Sequence, residues 1–102
     1  MEKDIFFYSN RIKLPGKINI PDHKDDMANF PVAILSHGYG ASKDEFGDFL
    51  ILSDILNDIG IATFRFDYRG CGYSDYQLGR MLCKDEWKED MKNAIDLLVT
   101  LI

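Results

Sequence analysis

The sequence predicts an α/β domain, a mixed sheet of about four strands flanked by two main helices, and three observations carry that expectation. Two short runs, Phe30–Leu35 and Ile61–Phe66, have the near-continuous apolar character of strands buried on both faces. Each run ends in a glycine-bearing turn, His37-Gly38-Tyr39-Gly40 after the first and Asp67-Tyr68-Arg69-Gly70-Cys71-Gly72-Tyr73-Ser74 after the second. Between the runs, Phe46, Phe49, Leu50, Ile55, Leu56 and Ile59 recur at helical spacing, and Gly60 is placed to stop the helix. Strand, helix, strand of this length forms a right-handed crossover.

The other elements are read from similar signals. Ile5–Tyr8 and Ile12–Ile20 alternate as two antiparallel strands separated by the turn residues Ser9-Asn10. Pro15-Gly16 interrupts the second of them. Because proline brings no N–H to a ladder, that strand is expected near an edge or with a bulge. Pro21 to Asn29, which includes His23, Lys24, Asp25 and Asp26, reads as a surface loop with a solvated histidine. From about Asp85 onward, Trp87, Met91, Ala94, Ile95 and Leu98 form one stripe of a helix, and Lys88, Glu89, Lys92 and Asp96 another. Asp85 and Glu86 sit where the positive end of the helix dipole favours them. The chain closes on Leu97-Leu98-Val99-Thr100-Leu101-Ile102, an apolar tail expected to dock against more protein.

Composition excludes several classes. With 102 residues, 46% hydrophobic and 28% charged, the chain is at most one soluble globular domain and too rich in core material to be disordered. Twelve basic against 17 acidic residues give a net charge of −5, and no basic run is present, which argues against nucleic acid as a partner. The N-terminus is too short and too acidic for a signal peptide, and no window approaches a membrane span, so the expected setting is cytoplasmic, with no membrane partner. Cys71 and Cys83 make neither a disulfide framework nor a metal-ligand spacing; the first reads as a small loop residue, the second as half-buried. Two histidines without a Cys/His cluster leave no metal site, and no cofactor is expected.

In open α/β sheets, ligands gather at the carboxyl ends of the strands, where both glycine-bearing turns fall. Glycines after Leu35-Ser36-His37 let the backbone bend and bring amide N–H groups close to a substrate, where they could stabilise an oxyanion. That turn alone leaves a plain glycine bend equally open. His37 reads as a residue bracing the loop rather than as a base.

The second turn adds to the first. Leu35-Ser36-His37-Gly38-Tyr39-Gly40, followed by Phe64-Arg65-Phe66-Asp67-Tyr68-Arg69-Gly70-Cys71-Gly72-Tyr73-Ser74-Asp75 and more loosely by Glu86-Trp87 with Asp90, resembles the α/β-hydrolase superfamily. Within it the chain is similar to serine esterases of the feruloyl or cinnamoyl type, with acylaminoacyl-peptidase-like and monoglyceride-lipase-like relatives close behind. The resemblance implies that residues 1–102 are the N-terminal half of that fold, a partial domain with strand order 1-2-4-3 and one helix on each face. It implies that the Tyr39 backbone N–H is an oxyanion-hole donor, that His37, Gly38 and Gly40 support its loop, and that Asp67, Arg69, Gly70, Gly72 and Ser74 form a structural loop. The implied chemistry is attack of a serine on a carboxylic ester, through an acyl-enzyme, with a histidine base and an aspartate orienting it. None of those three has a matching position here. The nearest candidate, Gly72-Tyr73-Ser74-Asp75-Tyr76, has glycine two before its serine but tyrosine two after.

The chain alone is therefore expected to be inactive, with a small-molecule ester as the substrate of the intact protein. The Phe30–Leu35 strand is expected to leave an apolar edge that self-associates or pairs with a missing C-terminal portion, and the Trp87 stripe to be partly uncovered. Two other readings remain. A non-catalytic truncated product would act only by binding a partner. A nucleotide-binding half-domain fits Gly38-x-Gly40 and Asp67, but Lys43 stands where its third glycine belongs, and no phosphate-loop lysine pattern follows.

Overall fold

The first twenty residues make a hairpin whose turn dictates its register. In a computed structural model, which describes residues 1–22, 31–38, 42–69, 71 and 84–101, β1 spans Glu2–Ser9 and β2 spans Ile12–Asn19. Ser9 pairs with Ile12, so Asn10 and Arg11 alone form the turn, both with positive φ (49° and 70°). That two-residue geometry matches the twist of the strands it joins, and asparagine accepts it readily. The turn thus falls one residue later than Ser9-Asn10, and Ser9 is a buried strand residue.

β3 (Val32–Leu35) and β4 (Ala62–Phe66) follow, with α1 (Asp48–Asp58) between them and α2 (Lys84–Leu101) after. The sheet order is β1-β2-β4-β3. β1 with β2 and β2 with β4 are antiparallel, whereas β3 and β4 are parallel, as a crossover connection requires. The expected order and the expected pair of helices are both found.

Proline 15 corrects one expectation. β2 lies inside the sheet, not at its edge, and its register with β1 runs unbroken through Pro15 opposite Phe6. The ring is tolerated because a strand residue points its N and its C=O to the same side. The Pro15 carbonyl accepts the Asp67 N–H at 2.9 Å, past the end of β4, and ladder pairing with β4 starts only at Gly16. The bond that the missing N–H forgoes would fall past the end of β4, so the proline costs the sheet a bond at that end and none in its middle. Gly16 is dictated by space: a Cβ there would stand 2.7 Å from the Arg65 carbonyl oxygen and 3.0 Å from the Phe64 ring.

Alternation sorts the side chains onto two faces. On one face, Phe7, Leu14, Ile18, Phe64 and Phe66 meet Ala94 and Leu98 of α2 and form the apolar core, with Trp87 and Met91 packed against it. The other face is polar where it meets α1. Ser53 of the helix bonds Asn19 Nδ2 at 2.8 Å and Thr63 Oγ1 at 2.6 Å, and Asn57 Nδ2 donates to the Asn19 and Ile61 carbonyls. Ile51 and Ile55 of α1, and Ile59 just past its end, point away: they are 63%, 54% and 69% exposed. Phe46 is not helical at all. It sits in a left-handed turn, Glu45 to Gly47 with φ 46°, 56° and 95°, that precedes α1. At the other end Gly60 takes φ 87°, and the Gly60 and Ile61 amides bond the Asn57 and Leu56 carbonyls, which closes α1 in a Schellman motif. Among the described residues no helix is long and apolar enough to cross a membrane.

Candidate active site

The parallel pair β3/β4 delivers two loops to the same end of the sheet, and α2 lies beside them. The geometry of this corner is polar and closely tied. Asp67, the first residue past β4, is fully buried and accepts both the Lys43 backbone N–H at 2.6 Å and Lys43 Nζ at 3.3 Å. Arg65, also fully buried, donates from Nε to Asp44 at 3.0 Å and from Nη2 to Glu2 at 3.1 Å. The loop after β3 is therefore stitched to β4 by charge-assisted hydrogen bonds, the strong kind.

His37 is the centre of the second set of bonds. Its Nε2 lies 3.1 Å from the Tyr68 backbone nitrogen, which can only donate, so Nε2 is the unprotonated acceptor. The proton then resides on Nδ1, which donates to the Gly38 carbonyl at 2.8 Å. Both ring nitrogens are occupied and the residue is 3% exposed, so this imidazole has no lone pair left for a substrate proton. The Gly38 N–H donates in turn to Glu45 Oε2 at 2.6 Å.

An aromatic stack holds the same corner. The Tyr68 and Trp87 rings lie 4.4 Å apart and 7° from parallel, and His37 meets both edge-on at 5.0 Å and 5.6 Å. The Tyr68 hydroxyl pairs with Ser36 Oγ at 2.7 Å. Burial drives the Tyr68 phenol above its ordinary pKa; the Ser36 hydrogen bond opposes this, and the nearby Asp90 charge adds to it.

Arg69 joins this loop to α2 and β1. Its backbone N–H and Nε reach the Asp90 carboxylate at 3.0 Å, Nη2 reaches Asp90 Oδ1 at 2.7 Å, and Nη1 reaches Glu86 at 2.8 Å. Nη2 also lies 3.4 Å from Ser9 Oγ. Burial works to lower the guanidinium pKa, but the hydrogen bonds and charge of Asp90, then of Glu86, outweigh it and hold the group above its ordinary value. This is an architectural ion pair, with a fully buried carboxylate as its anchor.

Of the residues the sequence singled out, the structure brings His37, Gly38, Asp67 and Arg69 together at the carboxyl end of the sheet. Tyr39, Gly40, Gly70, Gly72 and Ser74 lie outside the described residues, as do His23 and Cys83. Cys71 is buried, and its N–H bonds the Tyr68 carbonyl at 3.0 Å. Three participants escaped sequence reading: Glu45 on Gly38, Lys43 on Asp67, and Tyr68 between His37 and Trp87. Lys43 was visible only as a residue out of place in a glycine fingerprint. Among the described residues no cluster of His, Cys, Asp or Glu suits a metal ion.

No protein-family model matches the chain, and no curated protein matches it. Solved structures do. Est1E from Butyrivibrio proteoclasticus, solved with ferulic acid bound, is 25% identical with a TM-score of 0.84, over 95% of this chain and 37% of that one. The α/β hydrolase GrgF from Penicillium sp. sh18 is 20% identical with a TM-score of 0.80, over 96% and 32% of the two chains. A proline iminopeptidase from Mycobacterium smegmatis is 14% identical with a TM-score of 0.72, over 94% and 32%. The chain spans about a third of the length of these structures. With its sheet in the order β1-β2-β4-β3 and two helices, the chain has the fold of the N-terminal portion of an α/β hydrolase.

Proposed function

We propose that this chain is the N-terminal part of a serine hydrolase that cleaves carboxylic esters through an acyl-enzyme, and that it supplies the oxyanion loop while the nucleophile lies elsewhere. One observation carries the reading. The His37-Gly38 turn at the carboxyl end of β3 is held to the loop after β4 by the Tyr68 N–H on His37 Nε2, and the Gly38 carbonyl accepts from His37 Nδ1, so the start of this loop is fixed at the rim where ligands gather in such sheets. The next amide, that of Tyr39, lies outside the described residues, and the resemblance assigns it the role of donor to a developing oxyanion. The ferulic acid bound by Est1E supports an aromatic acyl group as the substrate class. A cytoplasmic setting belongs to the same reading.

The geometry weighs against a nucleotide-binding role. Asp67, the acid that would meet a ribose, is fully buried and holds Lys43 by two bonds.

A second reading has its own support. Ile51 and Ile55 of α1 and Ile59 just past it are exposed, and an apolar groove formed by Tyr68, Trp87, Met91 and Ile95 opens beside α2. Surfaces of this kind recruit a partner. The two readings separate on the nucleotide sequence downstream of the Ile102 codon: an in-frame Gly-x-Ser-x-Gly within a few tens of residues supports the hydrolase, and an immediate stop codon supports the partner-binding chain. Under either reading the 102-residue chain leaves p-nitrophenyl acetate unhydrolysed and takes no fluorophosphonate label; stoichiometric labelling of a serine within it overturns both.

A further inference from the structure

Gly38 is gripped on both sides. Its N–H donates to Glu45 Oε2 at 2.6 Å, and its carbonyl accepts from His37 Nδ1 at 2.8 Å. The two grips come from different directions. His37 is held by the Tyr68 amide of the loop after β4, whereas Glu45 belongs to the turn that leads into α1.

The Glu45 side of this arrangement has a visible energetic burden. Glu45 and Phe46 both adopt left-handed backbone, φ 46° and 56°, which an L side chain disfavours, and Phe46 is 86% exposed, so no packing of its ring explains the turn. What the turn does accomplish is to bring the Glu45 carboxylate back, seven residues along the chain, onto the Gly38 amide.

We infer that Glu45 is a positioning residue of the oxyanion loop: its carboxylate occupies the Gly38 N–H, so that this amide is withdrawn from the donors a substrate oxygen could meet, and the His37–Gly38 peptide is fixed in one orientation. The inference rests on the hydrolase reading for its catalytic meaning. The grip itself is a property of the chain, and is measured without catalysis.

The test uses the 15N-labelled 102-residue chain and follows the Gly38 amide. In the wild-type chain that proton is shifted strongly downfield and exchanges slowly, as expected for a short bond to a carboxylate. Glu45→Ala speeds its exchange at least about tenfold and moves the proton upfield. Glu45→Gln, which keeps an acceptor oxygen but not the charge, restores slow exchange with a smaller downfield shift, and added acetate restores it in Glu45→Ala. Unchanged exchange and shift in Glu45→Ala overturn the inference. The shifts of Tyr68 and Trp87 serve as the control for folding. If Glu45→Ala disturbs them, Glu45→Gln decides: a Gly38 proton that stays where the wild type has it overturns the inference, and one that moves upfield supports it. A failed hydrolase reading leaves these outcomes untouched, and a failed grip leaves the hydrolase reading standing.

Discussion

The backbone N–H of Tyr68 donates to Nε2 of His37 at 3.1 Å, across 31 positions of sequence. One proton assignment follows: the imidazole is neutral with its hydrogen on Nδ1. Long-range proton–nitrogen correlation of the His37 ring is expected to show that tautomer, and a ring protonated at Nε2 refutes the assignment. His37→Ala leaves the buried Tyr68 amide without its acceptor and is expected to destabilise the chain by about 1–3 kcal/mol in urea unfolding.

Gly16 has no room for a methyl group. A Cβ would stand 2.7 Å from the Arg65 carbonyl oxygen and 3.1 Å from Phe66 Cβ, and both neighbours belong to the inner strand β4. Gly16→Ala is expected to lower stability by about 1–3 kcal/mol, the ordinary range for an overfilled interior. A urea midpoint equal to that of the wild type rejects this account.

Ser53 is the hinge pin between α1 and the sheet. Its hydroxyl is shared by Asn19 and Thr63, all three residues buried. Ser53→Ala removes the partner of two buried polar groups and is expected to destabilise by about 1–3 kcal/mol, more than the loss of one exposed hydroxyl. Asn19→Ala made together with Ser53→Ala should show strong coupling in a double-mutant cycle; additive effects would deny the network.

Alkaline pH should expose the burial of Tyr68. Burial first, and the Asp90 charge after it, raise the folded-state pKa over the ordinary 10.0, despite the opposing Ser36 bond. As pH rises through that ordinary value, the unfolded chain loses the phenol proton first, so the stability this group contributes is full below it and declines above. Urea midpoints between about pH 8 and 11 should fall less steeply in Tyr68→Phe than in the wild type. Parallel profiles would contradict the shift.

Sequence patterning revealed the strands more clearly than the helix faces. Ile61–Phe66 announced β4 because its residues are buried throughout, whereas Phe30–Leu35 announced β3 by the same apolar character although β3 is an edge strand with Val32, Ala33 and Ile34 half-buried. α1 misleads in a different way: its isoleucines advertise a buried stripe, but the side turned to the sheet carries Ser53 and Asn57, whose hydrogen bonds replace apolar contact. Phe46 fits the helical spacing and lies outside the helix, since nothing in the local pattern signals a left-handed turn at a glutamate and a phenylalanine. At the site, the glycines and His37 were legible as a bend at a strand end. The partners that give them meaning were not. Lys43 meets Asp67 across 24 positions, and Tyr68 meets His37 across 31, distances over which a single sequence has no local periodicity to read.

The guanidinium of Arg69 and the amide of Asn93 both reach Ser9, across 60 and 84 positions. Closing so long a span is entropically expensive and slow, so these bonds belong to the last stage of assembly. The β1–β2 hairpin is made before α2, and its apolar side, with Phe7, Leu14 and Ile18, gains the cover of Ala94 and Leu98 only once α2 has been synthesised. A molecular chaperone has its clearest opportunity in that interval.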